Sequence, residues 1–347
     1  MIIREVEKPN IRDLIGLVNH QFWDRQKILK KDILNGIKIV GSGKGAIALV
    51  FKYLSERRVV KSKLDEVIMA DWLGSWVYNQ IQPFAFPAKK ISNRTKVLFV
   101  YHQYGFPQDM DKILEFAHDK KLIVIEDCAH SIASYYKGKL LGSFGDFTIY
   151  SFSKWFFCFA LGGVKSKFDD FGGYADEAIS KTPFGLTIVK DAAKFLHEWS
   201  TFSNSNIFQK YAGSLLGMSY AIYGEALKPG RLAQTLLAQK IAKEISVRKK
   251  RYHYFLKQTD GLGICDHLER EGITPYVIPI HCAERQTEDV IKYLRARGFE
   301  TGAYHFDINR NLLNPQFIKT VWIPCHGGIS DEVFSEIIGL VLKSFKK

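Results

Sequence analysis

Apolar and helix-period stretches alternate along the first two thirds of the chain. "KVLFVYH" is a continuous apolar run of strand length. Met110, Ile113, Leu114 and Ala117 then recur at helical spacing through "DMDKILEFAHDKK", and "LIVIED" is the next strand-like run. Strand, helix and strand in this order make a βαβ unit, which requires parallel strands and a right-handed crossover. In such sheets ligands sit beyond the carboxyl ends of the strands. His102 and the acidic pair Glu126 and Asp127 fall there.

Further along, Leu237, Ile241 and Ile245 repeat every four residues in "RLAQTLLAQKIAKEISVRKKRYHYFLKQ", with no glycine or proline to interrupt them. The spacing predicts one long helix, read as a bridge between domains. "TPYVIPIHC", "TEDVIKYLRARGFETGAYHF" and "VWIPCHGGISDEVFSEIIGLVLKSFK" then give strand, helix, strand and helix, with Thr287 and Ser330 as expected N-caps. The division expected is a large α/β domain over 1–230, followed by the bridging helix and a small α/β domain over 231–347. Residues 165–230 are aromatic-rich and yield no assignment.

With 347 residues, 46% of them hydrophobic, the chain can bury a full core. No apolar run reaches the roughly 20 residues that cross a bilayer, and the N-terminus lacks the apolar region of a signal peptide, so a cytoplasmic protein with no integral membrane segment is expected. Five scattered cysteines without a CxxC suggest neither disulfides nor a zinc site, and no metal is expected. The formal net charge of +13 suits nucleic acid, an anionic surface or a phosphate-bearing substrate. Basic runs such as "RQKILKKD" carry no nucleic-acid motif and are read as solvated surface.

Candidate chemistry lies between Leu122 and Val164. A carboxylate at the end of a buried strand needs a cation or several donors, and one such partner is a protonated ring nitrogen. Lys154, among aromatics in "SFSKWFF", loses its proton more readily than a solvated lysine and becomes nucleophilic toward an aldehyde. Together the two describe pyridoxal phosphate. Singly, Asp127 could equally cap a helix, and Lys154 could reach from an apolar surface to water.

The pattern as a whole resembles the DegT/StrS-type sugar aminotransferases, a fold-type-I pyridoxal-phosphate family, over roughly residues 38–347. "VYHQYGFPQDMDKI" resembles the family's H-x-Y-G-x-P-x-D-M-D segment and "VIEDCAHSI" its V-I-E-D-x-A-x. "GKLLGSFGDFTIYSFSK" is similar to G-x-x-x-G-S-x-G-D-x-x-x-x-S-F, and "WIPCHGGISDE" to the closing L-P-x-x-x-x-L-S-D-E. The resemblance implies a large domain with a mostly parallel, seven-stranded sheet, a small C-terminal α/β domain and a homodimer. It also implies transfer of an amino group from an amino acid such as glutamate to a nucleotide-linked keto-sugar.

Carried over residue by residue, Asp127 would bind the pyridine nitrogen and His130 would lie against the ring's phenolic oxygen. Ser151 would hold the phosphate together with the backbone at Gly43, Lys44 and Gly45 in "GSGKGAIAL". Those glycines could equally serve a plain tight turn. Trp72 would stack on the ring, with Trp76 in reserve, and Arg231, Tyr304 and His305 would face substrate; the aromatics could equally be packing. In the common spacing the Schiff-base lysine lies five residues after the serine. Here that position is Phe156, while Lys154 lies three after Ser151, which implies a shortened loop or a lost lysine. Pro229 stands where the family has an asparagine, and Lys44 where it has threonine. Two other readings follow from these departures: a sugar-nucleotide dehydratase that uses the pyridoxamine form, and a non-catalytic binding relative.

Overall fold

The computed structural model describes residues 3–7, 9, 33–203 and 205–345. The basic run at 25–32 lies outside the described residues. In chain order the first part comprises β1 (Lys38–Val40), α1 (Gly43–Glu56), β2 (Glu66–Met69), α2 (Ser75–Ile81), β3 (Phe86–Ala88) and β4 (Thr95–Tyr101). After these come α3 (Met110–Lys120), β5 (Ile123–Asp127), the short pair β6 (Tyr135–Tyr136) and β7 (Lys139–Leu140), β8 (Phe147–Ser151) and β9 (Gly162–Ser166). Seven of these strands form one sheet in the order β1-β9-β8-β5-β4-β2-β3. It is parallel from β8 to β3, and β9 runs antiparallel to both of its neighbours.

The continuous apolar run of β4 is explained by burial on both faces, as a parallel sheet covered by helices demands. Val97 and Phe99 pack into the cluster that holds Ile47, Val50 and Phe51 of α1. Their neighbours Leu98 and Val100 pack on the other side, with Met110 and Ile113 of α3 and Leu237 and Ile241 of the long helix. The two-residue period of the strand thus divides one hydrophobic run between two cores.

Residues 165–230, which pattern alone left unassigned, are mostly helical: α4 (Phe171–Ser180), α5 (Phe184–Ser200) and α6 (Asn206–Ser219). The expected long helix is present as α7 (Arg231–Gln258), 28 residues and so roughly 42 Å at 1.5 Å per residue. Its first half contributes Ala233, Leu236, Leu237 and Ile245 to the large-sheet core, and its second half gives Tyr252, Phe255 and Leu256 to another. That second core belongs to β10 (Val277–Ile280), α8 (Glu284–Ala296), β11 (Ala303–Asp307), β12 (Phe317–Pro324) and α9 (Asp331–Lys343), whose strands pair antiparallel in the order β10-β12-β11. Residues 3–7 dock here too, through a bridge between Ile3 and Phe299.

Ser330 caps α9, its hydroxyl accepting from the Val333 amide at 3.3 Å. Thr287 does not cap α8. That helix starts one turn earlier, after Ala283, where the Gln286 side chain accepts from the Ala283 amide at 3.2 Å, and the Thr287 hydroxyl bonds back to the Cys282 carbonyl. The small unit also has three strands where pattern counted two, because the polar edge strand β11 was absorbed into the run after α8.

Arg248, fully buried in α7, ties the two sheets together. Its Nε donates to Glu244 Oε1 at 2.5 Å, Nη2 to the Trp155 carbonyl at 2.9 Å and Nη1 to the Tyr276 carbonyl. Glu244 in turn accepts from the Gly327 amide at 3.0 Å. Removing one partner of a buried pair strands the other charge, at a cost of about 3–5 kcal/mol. Arg248→Met is therefore expected to lose about that much stability in urea unfolding, and adding Glu244→Gln to recover part of it.

Candidate active site

A cleft of about 400 Å³ opens at the carboxyl ends of β4, β5 and β8, lined among others by Tyr101, Asp127, His130, Ser151 and Lys154. Glu126 and Asp127 are neighbours on one strand, so their side chains leave opposite faces of the sheet. They do different work.

Glu126 faces the turn before β8. It accepts from the amides of Gly142 at 2.8 Å and of Phe144 and Gly145 at 2.7 Å, and from His102 Nε2 at 3.2 Å. The Gln108 amide donates to His102 Nδ1, so the ring proton stands on Nε2, facing the carboxylate. Burial pushes the Glu126 pKa up, but His102 and the backbone donors outweigh it and hold the carboxyl below its ordinary value. Cys128 Sγ lies within 4.8 Å of the ligand atoms of these two residues. Because both His102 nitrogens and the Glu126 oxygens already have partners, the cluster is structural.

Asp127 faces the cleft, almost fully buried, and accepts from the Ala129 amide at 3.0 Å. Burial raises its pKa, and the positive charge of Lys154 opposes the rise. Lys154 ends the single 3₁₀ turn Phe152–Lys154 that follows β8. Burial lowers its pKa and Asp127 opposes that. Its Nζ lies 2.9 Å from His130 Nε2, and His130 Nδ1 lies 2.6 Å from the Tyr101 hydroxyl. Phe156, two residues on, is buried in the core beside Trp155 and Phe157. Of the two positions left open by spacing, the one carrying lysine is the one in the cleft.

The N-terminus of α1 forms another wall. Ser42 caps it, its hydroxyl accepting from the Gly45 amide at 2.9 Å, and the helix start otherwise offers amides without intrahelical acceptors. Gly43 approaches β8 so closely that a Cβ there would stand 2.8 Å from Ser151 Cβ. The buried Lys190 of α5 keeps this turn in place by donating to the carbonyls of Gly41 and Ala160, each at 2.8 Å. The Lys44 side chain enters an aromatic enclosure, its Nζ 3.4 Å from the Tyr220 ring centroid, 5.1 Å from that of Tyr223 and 5.4 Å from that of Trp76. Burial, together with Lys194 and Lys154, lowers its pKa to about 7.

Trp72 lines the mouth of the cleft and stacks on His305 of β11, with 3.9 Å between centroids and 11° between planes. Its left-handed backbone, φ 57°, belongs to this placement. Tyr304 lines the cleft and its hydroxyl donates to the Trp72 carbonyl. Arg231 is exposed at the start of α7 and is not among the lining residues. Tyr101, Tyr104, Tyr276 and Lys194 were not singled out from sequence. Tyr101 had a signal, as the last residue of a β4-type strand just before His102. Tyr276 and Lys194 had none, because their elements meet the cleft only through tertiary packing.

The fold is shared with solved aminotransferase structures. Helicobacter pylori PseC, an aminotransferase involved in the biosynthesis of pseudoaminic acid, superposes over 100% of both chains with a TM-score of 0.66 at 13% identity, a likeness of fold. Residues 78–170 match the DegT/DnrJ/EryC1/StrS aminotransferase family, the segment that includes Asp127, His130, Ser151 and Lys154. Over 64 residues the chain is 50% identical to GDP-perosamine synthase of Escherichia coli O157:H7, and over 64 residues it is 45% identical to dTDP-3-amino-3,6-dideoxy-alpha-D-galactopyranose transaminase of Aneurinibacillus thermoaerophilus. Each of these two matches spans 18% of this chain and 18% of the relative.

Glu126 makes the stability of this region sensitive to acid. Its depressed pKa means that its contribution is present at neutral pH, above the ordinary value near 4.5, and is lost as pH falls through the lower, folded value. Glu126→Gln is expected to be less stable than the parent at pH 7. The gap, followed by urea unfolding, should narrow below about pH 4.5.

Proposed function

We propose that this chain is a pyridoxal-phosphate-dependent aminotransferase that moves an amino group from an amino acid, glutamate being the natural candidate, to a nucleotide-linked keto-sugar. The observation that carries the reading is the convergence of three unlike groups on one cleft: the buried Asp127 carboxylate, the buried Lys154 amine, and the capped start of α1 beside Ser151. These residues fit the cofactor. Asp127 has one backbone donor at 3.0 Å and a buried charge, which a protonated ring nitrogen satisfies. The Gly43 and Lys44 amides and the Ser151 hydroxyl suit a phosphate. Bound there, pyridoxal phosphate supplies an aldehyde that takes up the amino group and a ring that withdraws electrons.

Lys154 is the residue that would hold the cofactor covalently. Burial favours its uncharged form, so Nζ can take the proton from the donor's α-carbon and return it. With the cofactor bound, Asp127 would hold the proton on its ring nitrogen and His130 would serve its phenolic oxygen. The Tyr304 to Trp72 contact links β11 to the loop that carries Trp72 at the edge of the cleft. Lys44, whose pKa of about 7 would rise beside an anion, and Lys194, paired with Glu198, line the cleft and suit a phosphate-bearing substrate, in keeping with the net charge of +13.

A homodimer is part of this proposal. The dehydratase reading is disfavoured because it calls for replacement of the lysine, and Lys154 stands in the cleft. The non-catalytic reading is disfavoured because the acid, the amine and the phosphate cradle are all present.

Borohydride reduction of the protein with pyridoxal phosphate should add the phosphopyridoxyl mass to the peptide containing Lys154. Lys154→Ala should abolish that mass and the turnover with its near-UV circular dichroism unchanged; attachment at another lysine would overturn the assignment. Asp127→Asn should retain cofactor but lose turnover by at least ~10²-fold, the scale of one positioned acid or base. Turnover close to the parent's would remove Asp127 from the mechanism.

A further inference from the structure

Tyr101, His130 and Lys154 form a buried chain from the end of β4, past the Asp127 strand, to the turn after β8. Tyr101 Oη lies 2.6 Å from His130 Nδ1, and His130 Nε2 lies 2.9 Å from Lys154 Nζ. The imidazole cannot turn. It stacks on Tyr276 at 4.1 Å and 10°, it lies parallel to Tyr104 at 5.8 Å, and Tyr101 meets it edge-on. Tyr276 is itself fixed at both backbone ends, its amide donating to the Tyr104 carbonyl at 2.8 Å and its carbonyl accepting from Arg248. The ring therefore presents one nitrogen to Tyr101 and the other to Lys154.

A neutral imidazole has one N–H and one lone pair, and here both directions are taken. While Lys154 is protonated its ammonium has only N–H donors to offer Nε2, so Nε2 accepts, the ring proton stands on Nδ1, and Tyr101 Oη accepts it. Tyr101 is the one member that can work in either direction, because a hydroxyl donates as readily as it accepts. Burial, and after it the charges of Lys154 and Arg248, disfavour the imidazolium, and burial disfavours the Tyr101 phenolate. His130 is then a poor base but a hydrogen-bond partner of reversible polarity.

We propose that Tyr101 and His130 form a neutral tautomer switch in which His130 carries its proton on Nδ1 while it faces Lys154, and on Nε2 when an acceptor oxygen takes the place of the amine. This rests on the proposed function, in which the phenolic oxygen of pyridoxal phosphate is that acceptor. On the change, Lys154 gives a proton to Nε2 while Nδ1 passes its own to Tyr101 Oη, which releases its former hydroxyl proton to water in the cleft, and the imidazole remains neutral. Tyr101 turns its hydroxyl from accepting at Nδ1 to donating to it. N–H and O–H bonds are exchanged, and the Tyr101–His130 pair stays neutral throughout. Tyr101 is a positioning residue, acting on the cofactor through His130.

The test is long-range proton–nitrogen NMR of protein labelled with ¹⁵N-histidine, with His130→Gln assigning the signal and borohydride mass spectrometry confirming cofactor attachment separately. Without cofactor His130 should be protonated on Nδ1, and with pyridoxal phosphate on Nε2. Tyr101→Phe leaves Nδ1 without its partner in either state, so the tautomer preference should weaken and the change should be smaller than in the parent protein. The same tautomer in both states of the parent protein, with cofactor attached, overturns the switch and leaves the proposed function standing. A parent-like change in Tyr101→Phe removes Tyr101 from it. Failure of the cofactor to attach overturns both, and the comparison within the parent protein decides the matter should the variant not fold.

Discussion

The buried guanidinium of Arg248 is the constraint on which the site depends. One side chain in the middle of α7 bonds to the Trp155 carbonyl, one residue beyond Lys154, and to the Tyr276 carbonyl at the entry to β10. It also lies 4.9 Å from the Trp155 ring centroid and 5.5 Å from that of Tyr276. Arginine suits this post because its planar fork reaches several acceptors at fixed angles and stacks on aromatic faces. Position is thereby transmitted in two steps. Tyr276 sets the plane of His130, and Trp155 ends the turn that carries Lys154.

Around that clamp the cleft separates charges that a sequence places side by side. Glu126 satisfies its carboxylate entirely with backbone amides and His102, and so shapes the loop that feeds β8. Asp127, one residue further, keeps its charge for the cleft, where Lys154 answers it across buried space. Lys44 and Lys194 share the cleft with Lys154. Lys194 is paired with Glu198, while Lys44 is enclosed by Tyr220, Tyr223 and Trp76, whose ring faces favour a cation. A cleft that collects lysines in this way is a favourable place for phosphate groups.

The parallel sheet, the long helix and the acid at the end of β5 could be read from the sequence because each has a local cause. Buried parallel strands require unbroken apolar runs, a helix repeats its contacts every three to four residues, and a charge directly after a buried run falls at a strand end. The same logic located Lys154, since it is alone among aromatics between Lys139 and Lys165. Thr287 misled because a threonine before an apolar repeat looks like a cap. The helix found a better start a turn earlier, where Gln286 bonds back to the Ala283 amide.

What tertiary structure alone decided is who meets whom. Tyr276, Lys194 and Tyr220 lie far from Asp127 in the chain, and no local period marks them. Trp72 stacks on His305, more than 230 residues away, because β11 passes the mouth of the cleft. Glu126 and Asp127 have the same charge and adjacent positions, and only the pleat of β5, buried on both faces, gives one to a loop and the other to the chemistry. The sequence by itself determined which groups could react. Packing determined which of them share a cavity, because burial and contact depend on elements that meet only when the chain has folded.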